Sequence, residues 1–181
     1  LAKKAKLKLD VVAYPDIQSA SEVIKAPYLS RTYQNGFRVG GAKLGLDGSP
    51  QGKTAWLTKP YLIAPAGQKA DYAGYGAMKD EEAQKYVAMA FKNNWQLLAH
   101  ANGDASIDQF INAVKKAEAK YGKADRRLVA IHAQTAREDQ VQAFQDLDIL
   151  PSFFPMHTFY WGDWHKNSVL GAERAANISP T

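Results

Sequence analysis

Two histidines in this chain occupy the same kind of position. His100 closes the apolar run 95–99 (WQLLA) and opens His100-Ala101-Asn102-Gly103-Asp104. His132 closes the run 128–131 (LVAI) and opens His132-Ala133-Gln134. Each run is short and apolar and is followed by a helical pattern, which reads as strand then helix. In parallel α/β folds, reactive groups collect at the C-terminal ends of strands. Neighbouring strands lie about 4.8 Å apart, so two imidazoles at equivalent heights on adjacent strands can share one metal ion. A lone histidine there would read as a hydrogen-bonded core residue. Two in one register bring metal binding level with that reading.

A third group comes from Gly40-Gly41-Ala42-Lys43-Leu44-Gly45-Leu46-Asp47. Strand alternation puts Lys43, Gly45 and Asp47 on one face and Leu44 and Leu46 on the other. The leucines suit a helix layer, so Lys43 is expected to face inward. A desolvated lysine loses its charge readily, and the neutral amine can combine with carbon dioxide to give an anionic oxygen ligand. Pairing of Lys43 with Asp47 or with a substrate carboxylate explains the same residues equally well. Asp104 reads as a helix cap or as a partner that orients a ligand.

These groups need elements to hold them. Residues 7–13 read as a strand. A helix is expected after Ser19 or Ser21, carrying Val23, Ile24, Tyr28 and Leu29 and ending at Asn35-Gly36. Residues 37–46 read as one strand, and 47–76 as a long loop of the kind that is usually functional or mobile. Asp80 is expected to cap a helix bearing Tyr86, Val87, Met89, Ala90 and Phe91. Asp104 opens another, with Ile107, Phe110, Ile111, Val114 and Tyr121 at helical spacing and Gly122 at its C-terminal cap. Thr135 and Glu138 fit a capping box before a helix that buries Val141, Phe144 and Leu147. Residues 149–154 make a last strand, and 157–181 show no clear period. The rhythm is that of a parallel sheet with covering helices. Five strands are too few to close a (β/α)8 barrel, so the pattern fits either an open doubly wound sheet or part of a barrel.

Composition narrows the function further. Hydrophobic residues make up 46% and charged residues 23% of 181 residues, an ordinary globular mix. Cysteine is absent, which excludes thiolate ligands and a cysteine nucleophile. No apolar run is long enough to span a membrane, and residues 1–6 do not read as a charged-then-apolar leader, so any leader is expected to lie outside this chain. The compartment, cytoplasmic or periplasmic, is left open. The net charge of +5 is concentrated partly in Lys3, Lys4, Lys6 and Lys8. They read as a solvated chain end, since no nucleic-acid motif accompanies them.

Five segments, in order, resemble one family. They are KLGLDGSPQGKTAWLTKPY (43–61), HANGDASID (100–108), IHAQ (131–134), SFFPMHTFYWGDWH (152–165) and GAERAANISP (171–180). Together they are similar to the YtcJ-like branch of the amidohydrolase superfamily, amidohydrolase family 3. The resemblance implies a partial (β/α)8 TIM barrel, about strands three to seven, in a single domain over 1–181. It implies Lys43, as the amine or its carbamate, His100 and His132 as ligands of a divalent metal, commonly zinc with one or two ions. It also implies hydrolysis of C–N bonds in small amide-like, non-peptide substrates by metal-activated water. Asp47, Trp56, Tyr61, His157, Trp161 and His165 are then expected at the substrate, and Asp104 and Gln134 behind the ligands. The family's strand-one His-x-His pair and strand-eight aspartate have no counterpart here, since no histidine precedes His100. The chain is therefore expected to be an internal piece of a longer enzyme, inactive alone, with open sheet edges that favour self-association. The alternative from another class is a non-catalytic α/β module that binds a ligand or a second copy of itself.

Overall fold

The computed structural model of the protein describes residues 7–27 and 29–180. Lys3, Lys4, Lys6 and Tyr28 lie outside the described residues. The strands are β1 (Val11–Ala13), β2 (Phe37–Val39), β3 (Gly41–Gly45), β4 (Gln96–Ala101), β5 (Leu128–His132) and β6 (Ile149–Phe153). The helices are α1 (Asp80–Lys92), α2 (Asp104–Tyr121), α3 (Glu138–Asp146), α4 (Met156–Trp164) and α5 (Ala172–Ala175).

All strand pairs are parallel. β1 pairs with β2, and β3 to β6 pair in sequence order. The two sheets continue one another. Gly40 N–H donates to Ala13 O, Lys43 N–H to Pro15 O and Ile17 N–H to Lys43 O, so the first segment follows β2 and β3 past the break. The break sits at Gly40, where a Cβ would lie 2.5 Å from Tyr14 Cζ. The single strand expected at 37–46 is thus two. Strand order runs through without reversal, unlike a doubly wound sheet, whose order reverses at a switch point. This decides the architecture for a partial barrel.

Alternation along the strands separates two layers. Leu97, Ala99 and Ala101 of β4 and Leu128 and Ala130 of β5 are buried against the helices, while Leu98 and His100 are half-buried on the other face. The helix side is the core: Val87, Ala90 and Phe91 of α1 meet Ile107, Phe110, Ile111 and Val114 of α2. Gly122 ends α2 with φ 76°, a conformation that favours glycine.

Four local expectations are corrected. Only a 3-10 turn forms at Ser21–Val23. Ile24 is buried there, but Val23 is 47% exposed, so the apolar residues do not share a helical face. Asp80 is the first residue of α1, not its cap, and its carboxylate accepts from Gln109 Nε2 at 2.8 Å. Thr135 does not cap α3 either. Its hydroxyl donates to Asn102 O at 3.0 Å, and Arg137 N–H donates to Gln140 Oε1 at 3.0 Å instead. The tail is helical: α4 runs into a π-helical turn at His165–Val169, followed by α5. The loop after β3 is ordered by this tail, through Leu62 N–H to Val169 O, Ile63 N–H to Ser168 O, and a small core of Leu57, Tyr61, Val169, Leu170 and Ile178.

Candidate metal centre

Register places Lys43 opposite Leu98, and Gly45 opposite His100. Paired residues of a parallel sheet share a face, so Lys43 and His100 both look into the barrel interior, one pleat apart. A Cβ on Gly45 would meet nothing within 4 Å, so this glycine leaves room beside His100. His132 is not at the equivalent height. It pairs with Ala101, which faces the helices, while His100 pairs with Ile131. Alternation alone would turn His132 away. Left-handed backbone at His132 (φ 72°) and Ala133 (φ 44°) instead coincides with a ring centroid 5.0 Å from that of His100, at 83°. Such a conformation in a non-glycine residue costs about 1 kcal/mol or more and is concentrated at functional sites.

The electrostatics suit ligands. Burial, with His100, Lys43 and His157 nearby, pushes His132 down to about 4, so its imidazole is neutral at pH 7. Burial brings Lys43 down to about 8, against the opposing pull of Asp16 and Asp47. His100 Nε2 lies 3.0 Å from Gly48 O and 3.0 Å from Asn102 Nδ2. Its Nδ1 makes no hydrogen bond among the described residues. No three His, Asp or Glu side chains converge among the described residues as a metal ion would require. The groups brought together here are the imidazoles of His100 and His132, with Lys43 close enough to His132 to help lower it.

Asp47 supports this cluster from behind. Its side chain is fully enclosed. Oδ2 accepts from Trp56 N–H (3.0 Å), Gly103 N–H (2.8 Å) and Ser106 Oγ (2.8 Å), and Oδ1 from Asn102 N–H (3.0 Å). Burial raises its carboxyl above the ordinary range while those four bonds pull against it. Oδ1 also lies 3.7 Å from His100 Nε2. Asn102 and Ser106 had no assigned part in the sequence reading; only the Asn-Gly turn after His100 pointed to them.

The remaining expected residues are dispersed. Trp56 lies beside Gly76 and Met78, with its backbone N–H on Asp47. Tyr61 is buried, stacks on Tyr72 at 5.7 Å and donates to Ala55 O at 2.7 Å. Asp104 accepts from Thr58 N–H at 2.9 Å, from the Thr58 hydroxyl, and from Arg137 Nη1 at 3.3 Å. Gln134 is buried and donates to Ser179 Oγ at 2.7 Å, tying the tail to the β5–α3 turn. His157 and Trp161 continue a line of rings from His132 through Phe154, with centroid steps of 6.0, 5.1 and 5.0 Å. His165 lies behind His157. A cavity of about 410 Å³ sits elsewhere, between Thr58, Asp104, Arg137 and Arg174, and none of Lys43, His100 and His132 lines it.

The class this chain belongs to is that of proteins built on a parallel barrel with imidazoles at the C-terminal strand ends. The comparisons agree: the family model of the Amidohydrolase family matches residues 1–181, and the chain belongs to that family. Protein LONG AFTER FAR-RED 3 of Arabidopsis thaliana is 29% identical over 141 residues, covering 78% of this chain and 23% of that protein. The YtcJ protein of Bacillus subtilis (strain 168) is 29% identical over 136 residues, 73% of this chain and 23% of that protein. A crystal structure of an uncharacterized metal-dependent hydrolase from Pyrococcus furiosus superposes with a TM-score of 0.77 at 27% identity, over 97% of this chain and 34% of its own. The chain thus spans about a quarter of its curated relatives and a third of that structure. No helix among the described residues is long and apolar enough to cross a membrane.

Proposed function

We propose that this chain supplies Lys43, His100 and His132 to the metal centre of a hydrolase that cleaves C–N bonds of small amide-like, non-peptide substrates. The observation that carries the reading is the His100–His132 pair, 5.0 Å apart, above an inward-facing lysine and the room left by Gly45. Two imidazoles with a lysine beside them make a partial donor set for a divalent ion, zinc in this proposal. Held there, the ion would supply Lewis-acid polarisation of a carbonyl and a more acidic water. The protein's own part is to keep His132 neutral, to hold His100 by its Nε2–H on Gly48 O, and to fix the β4–α2 turn on Asp47. With no further imidazole or carboxylate converging on the pair among the described residues, the chain by itself is expected to bind zinc weakly and to turn over no amide.

Elemental analysis of zinc per chain, on wild type and on the His100→Ala, His132→Ala double variant, tests this. Zinc retained by the wild type and lost in the variant supports the assignment. A folded wild type that retains none at saturating zinc overturns it.

A further inference from the structure

His157 and His165 form a second imidazole pair, on α4 and the π-helical turn that continues it. Their planes lie 15° apart with centroids 5.4 Å apart, while His157 Nδ1 and His165 Nε2 approach to 3.2 Å. A nitrogen separation so much shorter than the centroid separation, in nearly parallel rings, is an edge-to-edge hydrogen bond and not a face-to-face stack. One nitrogen must donate and the other accept. His165 is fully enclosed and His157 is 4% exposed. Burial holds both below the ordinary histidine range, with His157 adding to the effect on His165, which sits at about 4. Each ring therefore carries one proton at pH 7.

Two arrangements meet that condition. If His157 Nδ1 donates, His165 carries its proton on Nδ1, an atom closed off with no partner. An orphaned buried N–H is the rarer kind of unmet group, and leaving it unmet costs about 1–3 kcal/mol. If His165 Nε2 donates, the enclosed Nδ1 is a bare lone pair, and His157 carries its proton on Nε2. The second arrangement also uses the Nε2–H form of both rings, which is the form a histidine side chain prefers in water. His157 Nε2 is not among the enclosed unpaired atoms. Its ring stands between Phe154 (5.1 Å) and Trp161 (5.0 Å), and Phe154 in turn stands 6.0 Å from His132.

We infer that His157 is a fixed hydrogen-bond donor whose Nε2–H receives an acceptor oxygen of the substrate, carboxylate or carbonyl, and that His165 is the positioning residue that locks His157 in this tautomer. The inference rests on the proposed function, because it takes the strand-end face that carries His132 as the side on which substrate binds. Phe154 and Trp161 add that the acceptor group belongs to a molecule with an apolar or aromatic body. A planar aromatic carboxylate is the simplest such probe.

The chain has four histidines, so its imidazole nitrogens are resolvable in a long-range proton–nitrogen spectrum. The spectrum is expected to show His157 protonated at Nε2 and bare at Nδ1, and sodium benzoate is expected to perturb that Nε2. His157→Phe should weaken benzoate binding about tenfold or more, the worth of one charge-assisted hydrogen bond. In His165→Leu the His157 tautomers should mix and benzoate should weaken. His165→Gln, whose amide can donate to Nδ1, should restore both. A wild-type His157 protonated on Nδ1 overturns the inference, as does benzoate binding that His157→Phe leaves unchanged. None of these readouts needs metal. Zinc bound by the His100–His132 pair with the wrong His157 tautomer sinks this inference alone, and the right tautomer and benzoate response without zinc sinks the metal centre alone.

Discussion

Asp47→Ala is the perturbation that tests most of the site's architecture at once. The carboxylate ties three stretches of chain together: its own loop after β3, the Trp56 backbone, and the Asn102–Ser106 turn that follows His100. Truncation strands three backbone donors, of Trp56, Asn102 and Gly103, because the Ser106 hydroxyl can still donate to Gly103 O at 2.8 Å. It also removes a desolvated charge, so each donor is assigned only the low end of its cost, about 1 kcal/mol. The sum is about 3 kcal/mol. For a chain of this size that is a fall in melting temperature of about 6–12 °C. Asp47→Asn keeps an oxygen for the three donors at Oδ2 but sets an amide against Asn102 N–H, so about 2 kcal/mol is expected. Ser106→Ala, which deletes one donor with its acceptor still bonded, should cost about 1 kcal/mol. Urea unfolding followed by circular dichroism reads all three. Asp47→Ala within about 1 kcal/mol of wild type, or an order other than Ala, then Asn, then Ser106→Ala, would refute the reasoning.

Three further outcomes are expected. Gly103→Ala places a Cβ 1.8 Å from Trp56 O, a clash with backbone that no rotamer relieves; it should destabilise by more than about 3 kcal/mol and express mainly as insoluble protein. His165 binds its proton at about 4 in the fold and at about 6.5 unfolded. The unfolded state therefore takes up more protons between those values, so stability is full above about 6.5 and declines as pH falls towards 4, by up to about 3 kcal/mol. Urea midpoints from pH 7 to 4.5 should fall at least that steeply, because His132 and His157 add slopes of the same sign, and should fall less in His165→Gln; identical slopes would exclude a contribution from His165. Lys53 Nζ donates to Ile63 O and Ser168 Oγ, both at 2.8 Å, and lies 4.9 Å above the Trp164 ring. Lys53→Met should cost about 2 kcal/mol and open the 64–75 loop to limited proteolysis before the barrel strands are cut.

Much of the frame was legible where local signals and packing agree. α2 shows its period, its glycine stop and its strand before it, and it is the helix with the most buried residues. The first helical segment failed because residues 19–36 carry apolar groups without a shared face, and Pro27 interrupts them. The tail hid its helices because Phe159, Tyr160, Trp161 and Trp164 are exposed alongside buried His157 and His165, which erases any amphipathic stripe. At the site, Lys43 followed from simple alternation, but the meeting of His100 and His132 did not. Their one-residue offset depends on strand register and on two left-handed residues, neither of which has a local signature. Asp47 was read as pointing at substrate; its four backbone and hydroxyl partners come from segments 9 to 59 residues away.

Strand order has a consequence for taking the molecule apart. Because every strand lies beside its sequence neighbours, one cut between α2 and β5, in residues 122–127, would divide the sheet along the single seam between β4 and β5. His100 would then belong to one polypeptide and His132 to the other. Each piece would present one complementary edge with a fixed register, and the imidazoles would come together only when the pieces rejoin. The approach of the two rings would then report reassembly, and the seam would set the affinity together with the tail's packing on Leu57 and Tyr61 and the contacts of Arg137 with Asp104 and Asp108.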